Sequence, residues 1–276
     1  MLETIAGVAL GAVDALLLSA PRRLGENLVL YSPERPVGSH VVLVDPPLLG
    51  KHDSPNVASV VRLVLRRGWY CAVHDRPDDP QNVFGNTDSL VEALALAKRS
   101  VPGSAGRVGV IGMSAGSFQA ARCLPMLADG GAHAVVLLAN ALTLERVELS
   151  PRWAVERLCR KISSFLGVPC PGSNRLSDLC AAVGVDPKEL DCREALAGAR
   201  IPTLCVNSRN DPVVPGCVEG ALAAIAARNG LVRVWSTPGG GHLGWVGVLG
   251  RRYAVEKSLD FLYAPGPPSA ERIPHW

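Results

Sequence analysis

Short runs rich in valine, leucine and isoleucine recur along this chain, and most are followed by a stretch whose apolar residues fall at helical spacing. That alternation constrains the fold more than any other feature. Ser39–Val44 is largely apolar and ends in Asp45-Pro46-Pro47, as expected of a parallel strand buried on both faces. Asn56–Arg67 follows, with Val57, Val60, Val61, Leu63 and Val64 at helical spacing and Gly68 closing the turn. Trp69–His74 reads as the next strand, and Ser89 with Glu92 forms a capping box opening a helix to about Arg99. Arg107–Met113 reads as strand, Ala115–Leu127 as helix and His133–Asn140 as strand. The rhythm resumes with a strand at Pro202–Asn207, a helix at Val218–Arg228, a strand at Val232–Thr237 and a last helix over Trp245–Tyr263. Alternating elements of this kind predict an α/β fold, a mostly parallel central sheet with helices on both faces. Ala141–Ala199 interrupts the rhythm. It reads as helical, broken at Pro151, Pro169 and Pro171, and predicts a helical lid inserted after a strand.

At 276 residues, with 48% hydrophobic and 19% charged, the chain is globular and can bury a large core in one large domain or two small ones. The main domain is expected over residues 26–263, after an apolar helix within residues 1–25 and before a proline-rich tail at 264–276. A net charge of +3 calls for neither a nucleic acid nor an acidic substrate. The eight cysteines are scattered without a Cys-x-x-Cys pair, and several lie in apolar runs such as Thr203–Val206. Buried, reduced thiols are the expectation, favouring a cytosolic compartment or a cytosol-facing membrane surface. Ile5–Ala20 is too short for a comfortable transmembrane span, contains Asp14 and lacks a basic start, although Leu18-Ser19-Ala20 loosely resembles a cleavage site. Three readings stand for it: a helix docked on the domain, a helix at a membrane surface, and a signal peptide.

The chemistry begins at Gly112-Met113-Ser114-Ala115-Gly116, a Gly-x-Ser-x-Gly placed where a predicted strand turns into a predicted helix. A turn that tight needs glycine two residues either side of the serine, because side chains there would strike neighbouring backbone. The serine is left exposed at the apex, with the positive end of a helix behind it. A serine hydroxyl needs a base, and the base needs an orienting acid. Asp211 leaves a predicted strand in Asn210-Asp211-Pro212, and His242 follows the next one in Gly239-Gly240-Gly241-His242. Their order, serine then acid then histidine, is that of a strand-turn-helix serine hydrolase. Asn-Asp-Pro is also ordinary turn chemistry, and His242 could simply occupy a glycine loop. Asp186, Asp191 and Asp260 are the competing carboxylates.

Two other patterns compete. Gly239-x-Gly241-x-x-Gly244 matches a dinucleotide fingerprint, but too little chain follows Gly244 to complete such a fold. His52-Asp53 and His74-Asp75, with Asp78 and Asp79, could suggest a metal, yet no histidine pair stands at helical i, i+4 spacing. The reading therefore assigns neither cofactor nor metal.

Beyond the elbow, the chain resembles the α/β-hydrolases, in particular a branch that groups bacterial esterase-like proteins with animal monoacylglycerol-lipase-like and phospholipase-like ones. Pro46–Pro55, Arg67-Gly68-Trp69, Asn210-Asp211-Pro212 and Gly240–Trp245 carry the likeness, which covers roughly residues 40–263. It departs at Pro46-Pro47, where the family has His-Gly, and at His74-Asp75-Arg76-Pro77, where the family has Asn-x-Arg-Gly. The family is also longer before residue 40, with an extra hairpin. The resemblance implies hydrolysis of acylglycerol-like or simple esters by Ser114, Asp211 and His242, the partner being a small-molecule or lipid ester. It also implies an oxyanion hole from the N–H groups of Leu48 and Ala115; a slip of one residue would put Pro47, which has no N–H, in the place of Leu48. Within the predicted lid, Ala154, Leu158, Ile162 and Phe165 fall on one helix face, with Arg157, Arg160 and Lys161 largely off it. A binding protein with lost catalysis and an acyltransferase are the alternatives; the latter's His-x₄-Asp is absent, Gly247 standing at that position.

Overall fold

A computed structural model describes residues 2–76, 87–103, 106–143, 160, 163–164, 167, 175–182, 184–187, 190–214, 218–245 and 252–263. Its centre is an eight-stranded sheet: β1 (Arg22–Arg23), β2 (Leu28–Tyr31), β3 (Val41–Asp45), β4 (Tyr70–His74), β5 (Val108–Met113), β6 (Ala134–Leu138), β7 (Thr203–Ser208) and β8 (Val232–Thr237). The spatial order is β1-β2-β4-β3-β5-β6-β7-β8. All pairs from β4 to β8 are parallel, and β2 and β1 run antiparallel at one edge. No position of β3, β4, β5, β6 or β7 is exposed, so both faces are covered and alternation between polar and apolar residues is absent.

The helices are α1 (Leu2–Leu16), α2 (Pro55–Arg66), α3 (Thr87–Ser100), α4 (Ala115–Arg122), α5 (Leu124–Asp129), α6 (Leu176–Ala182), α7 (Arg193–Ala197), α8 (Val218–Arg228) and α9 (Tyr253–Tyr263). α2 buries Val57, Val60, Val61 and Val64. Each fully buried valine is worth about 1.5–3 kcal/mol of transfer free energy.

Four boundaries differ from expectation. The β1–β2 hairpin has no counterpart among the strands expected from sequence; β2 is only four residues long, and β1 consists of two arginines that only pairing identifies as strand. α3 already includes Thr87, so Ser89 lies inside the helix and is no N-cap. The helix expected over Ala115–Leu127 is two, because Cys123 ends α4 and Pro125 opens α5, where its missing N–H costs nothing. The last helix begins at Tyr253. Trp245 instead turns its ring into the core, 1% exposed, and its indole N–H donates to Thr237 Oγ1 at 2.9 Å.

The first helix is docked on the domain through its smallest residues. A side chain on Gly11 would strike the Pro55 carbonyl, and one on Gly7 would strike Gly244. Asp14 accepts from Ser59 Oγ at 2.8 Å and is ion-paired with Arg62. Ile5, Val8, Val13, Leu16 and Leu17 face outward. Among the described residues, no helix is long and apolar enough to cross a membrane.

Between β6 and β7 the described elements are α6, α7 and a bridge joining Thr143 to Asp191. Ala154, Arg157, Leu158, Lys161, Ile162 and Phe165, on which the expected lid face rests, lie outside the described residues, as do Asp78, Asp79 and the tail 264–276.

Candidate active site

The parallel strands deliver their loops to one edge of the sheet, and four of those loops build the site. β5 ends at Met113 and α4 begins at Ala115, so Ser114 makes the whole connection, with φ 53° and ψ −113°. No relaxed residue sits there, and the cost is on the order of 1–3 kcal/mol. Fixed contacts hold it: Ser114 N–H donates to Leu138 O at 2.8 Å, and Ser117 Oγ donates to Ser114 O at 2.6 Å. The flanking glycines are explained by what a Cβ would meet. At Gly112 it would lie 2.5 Å from Ser117 Cα, and at Gly116 it would lie 2.1 Å from Asp45 O.

His242 reaches this serine from the loop after β8. Its Nε2 lies 2.9 Å from Ser114 Oγ, and its Nδ1 lies 2.9 and 3.1 Å from the two oxygens of Asp211. An ionised carboxylate only accepts, so the proton belongs on Nδ1 and Nε2 is left to accept from the serine hydroxyl. Asp211 is almost fully buried, its side chain 1% exposed against 17% for His242. It also accepts from the backbone N–H groups of Val213 and Val214 at 2.7 and 3.0 Å, which lock the carboxylate's plane. The competing carboxylates are elsewhere: Asp191 pairs with Arg193, Asp260 pairs with Arg67, and Asp186 is exposed.

The glycines around His242 serve packing. A Cβ on Gly240 would strike the Trp245 ring at 2.2 Å, and one on Gly241 would strike Thr4 Oγ1 at 2.4 Å. The dinucleotide-like spacing thus records close approach of this loop to a tryptophan and to α1. Two anchors escaped the sequence reading. Thr4 Oγ1 accepts from His242 N–H at 3.0 Å, and Asn210 Oδ1 accepts from Gly241 N–H at 2.8 Å. Asn210 was visible as the neighbour of Asp211; nothing local marks Thr4, which is 238 residues away.

The loop after β3 carries Leu48. Gly50 N–H donates to Pro47 O at 2.8 Å, closing a turn with Leu48 second and Leu49 third at φ 56°. That is the type II pattern, whose third position ordinarily takes glycine. Among the described residues nothing accepts from the N–H of Leu48 or of Ala115, the first residue of α4.

Both histidines of the metal-like groups face other carboxylates. His52 Nδ1 lies 2.5 Å from Asp75 Oδ2, and His74 Nδ1 lies 3.2 Å from Asp45 Oδ1. Among the described residues no cluster of three histidine, cysteine or acidic side chains could hold a metal ion.

No family model and no curated protein matches the sequence. Solved structures do. The 2,6-dihydroxy-pseudo-oxynicotine hydrolase is similar over 87% of this chain, at 18% identity and TM-score 0.64; the matched part is 66% of that protein's length. The Pyrococcus furiosus esterase Pf2001 is similar over 85% of this chain and 84% of its own, at 16% identity and TM-score 0.59. Est1E from Butyrivibrio proteoclasticus is similar over 85% of this chain and 93% of its own, at 14% identity and TM-score 0.58. At such identities the likeness speaks for architecture, and with the sheet order above it shows that this chain has the α/β-hydrolase fold.

Proposed function

We propose that the protein is a serine hydrolase that cleaves carboxylic esters through an acyl-enzyme on Ser114. The observation that carries the reading is the continuous line from Asp211 through His242 to Ser114, with 2.9 Å at each step. In the first half-reaction Ser114 Oγ attacks the ester carbonyl while its proton passes to His242 Nε2. The resulting imidazolium is stabilised by the buried Asp211 carboxylate. Negative charge moves onto the former carbonyl oxygen, where the N–H groups of Leu48 and Ala115 are the available donors and the positive end of α4 adds to them. His242 then gives its proton to the departing alcohol. In the second half-reaction water, deprotonated by His242, attacks the acyl-enzyme and frees the acid and Ser114.

Two structural neighbours with hydrolase or esterase in their names support this reaction class. A lipid-like ester is supported by α1. Its large aliphatic side chains face away from the protein while Gly7 and Gly11 face inward, the reverse of a helix built only to pack. The exposed Arg22 and Arg23 that follow suit an anionic lipid surface. Purified protein should therefore hydrolyse p-nitrophenyl esters, with Ser114→Ala at background; retained turnover in that variant would refute the nucleophile. Co-sedimentation with phosphatidylglycerol vesicles, reduced by a Leu16→Glu/Leu17→Glu double variant, checks the surface reading, and free passage of the unaltered protein would refute it.

A further inference from the structure

We infer that Arg76 is a positioning residue that aims the Leu48 N–H at the developing oxyanion, an inference that rests on the ester-hydrolase reading above. The argument starts from the peptide between Pro47 and Leu48. A trans peptide is planar, so its C=O and its N–H point in opposite directions, and whatever fixes one fixes the other. Pro46 and Pro47 have no N–H, so this stretch can be tied down only through its carbonyls. Arg76 supplies the ties: Nη2 donates to Pro47 O at 2.9 Å and also to Pro46 O. Gly50 N–H holds Pro47 O from the other side of the turn at 2.8 Å. The Pro47 carbonyl thus takes two donors, one charged, and the Leu48 N–H on the opposite side makes no hydrogen bond within the described residues.

The guanidinium is itself held. It is 7% exposed, and its Nε lies 3.5 Å from Oδ1 of Asp45, the last residue of β3, which is wholly buried. His74 braces the same carboxylate oxygen from β4 at 3.2 Å. The fork geometry of arginine matters, since one planar group spans two successive carbonyls and a carboxylate; a lysine ammonium is a point donor and cannot. A charged donor on a peptide carbonyl also polarises that peptide and strengthens its N–H as a donor. Arg76 therefore serves direction and strength at once, without touching substrate.

The test compares the unaltered enzyme with Arg76→Met, which keeps the length and loses the donors, and Arg76→Lys, which keeps the charge and loses the fork. The oxyanion exists only in the transition state, so kcat for a p-nitrophenyl ester should fall ~10–100-fold in both, somewhat less than for outright loss of one donor, while KM changes little. Affinity for a trifluoromethyl ketone, whose tetrahedral adduct carries an oxyanion, should fall in parallel with kcat. Added guanidinium should restore part of the rate of Arg76→Ala. A merely structural role would lower the melting temperature without linking kcat to inhibitor affinity and would show no guanidinium rescue. Should every Arg76 variant fail to fold, the unaltered enzyme decides: in its phosphonate adduct the phosphonyl oxygen should accept from Leu48 N–H while Arg76 remains on Pro47 O. Folded variants with unchanged kcat, or an adduct whose oxygen avoids Leu48, would overturn the inference alone. Absence of ester hydrolysis and of phosphonate labelling in the unaltered protein would overturn the hydrolase reading with it.

Discussion

On either side of Ser114, the peptide next to His242 and the peptide next to Leu48 are held in opposite ways. Around His242 the N–H groups are spent: Gly241 N–H on Asn210, His242 N–H on Thr4 and Gly244 N–H on Gly240 O. Around Leu48 the anchors are the carbonyls of Pro46 and Pro47, and the Leu48 N–H has no acceptor among the described residues. The difference follows from what each loop offers. In the proposed reaction His242 acts through its side chain, so its backbone donors are free to be used up in fixing the ring. Leu48 would act there through its backbone donor, so that peptide has to be gripped from behind. A loop whose working group is the main chain has to be built with the main chain half unsatisfied, and the role inferred for the buried Arg76 is to compensate for that.

The largest effect tests the side-chain half. Asp211→Asn keeps the shape of the acid but removes the charge, and its amide can present a donor to His242 Nδ1, favouring the tautomer that cannot accept from serine. Turnover should drop by about 10⁴, the size of the corresponding change in a serine protease, with folding intact by circular dichroism. Near-full activity would take the acid away from Asp211.

The next tests the main-chain half. Leu48→Pro deletes one hydrogen donor, and proline is at home in the second position of a type II turn, so the backbone should survive. Loss of one oxyanion donor should cost about 10²–10³ in kcat with KM nearly constant. An unchanged rate would mean that Leu48 donates nothing and that the contrast between the loops is without function.

Thr4→Val sharpens the comparison from the other side. It leaves the His242 N–H without its acceptor, at about 1–3 kcal/mol if water cannot replace it. Denaturant titration should show that loss, while kcat falls by roughly tenfold or less, because Asp211 still fixes the ring. A loss as large as that of Leu48→Pro would mean that the histidine loop depends on its backbone just as heavily.

The smallest effect concerns the strands beneath. Burial pushes the Cys205 thiol in β7 and the Cys180 thiol up to about 12, and it raises those of Cys71 in β4, Cys123 and Cys192 as well. The thiolate is the reactive form, so at pH 8 a folded chain should leave these five unlabelled by iodoacetamide, as peptide mapping would report. Faster labelling of Cys71 than of Cys205 would identify the Leu48 side as the softer one.

Much of this was legible in the sequence, because buried parallel strands announce themselves as valine-rich runs and the elbow needs glycine for steric reasons that any chain must obey. Val218–Arg228 and Val232–Thr237 fall where periodicity places them. What escaped depends on partners far along the chain. The arginine pair of β1 is strand only because Leu30 and Val29 lie beside it. Trp245 looked like the start of a helix because its apolar side chain suits one, but the ring is buried against Gly240. Arg76 keeps the arginine of the family's Asn-x-Arg-Gly between the departures at His74 and Pro77, and the role inferred for it rests on Pro46 and Pro47 offering carbonyls and no N–H.

The central claim is that Ser114 is a nucleophile activated by His242. Incubation with a fluorophosphonate probe, followed by proteolysis and mass spectrometry, tests it most directly. One adduct per chain on the peptide containing Gly112–Gly116, absent from Ser114→Ala and strongly slowed in His242→Ala, is the predicted result. An unmodified protein, or an adduct on another residue that persists in Ser114→Ala, would contradict it.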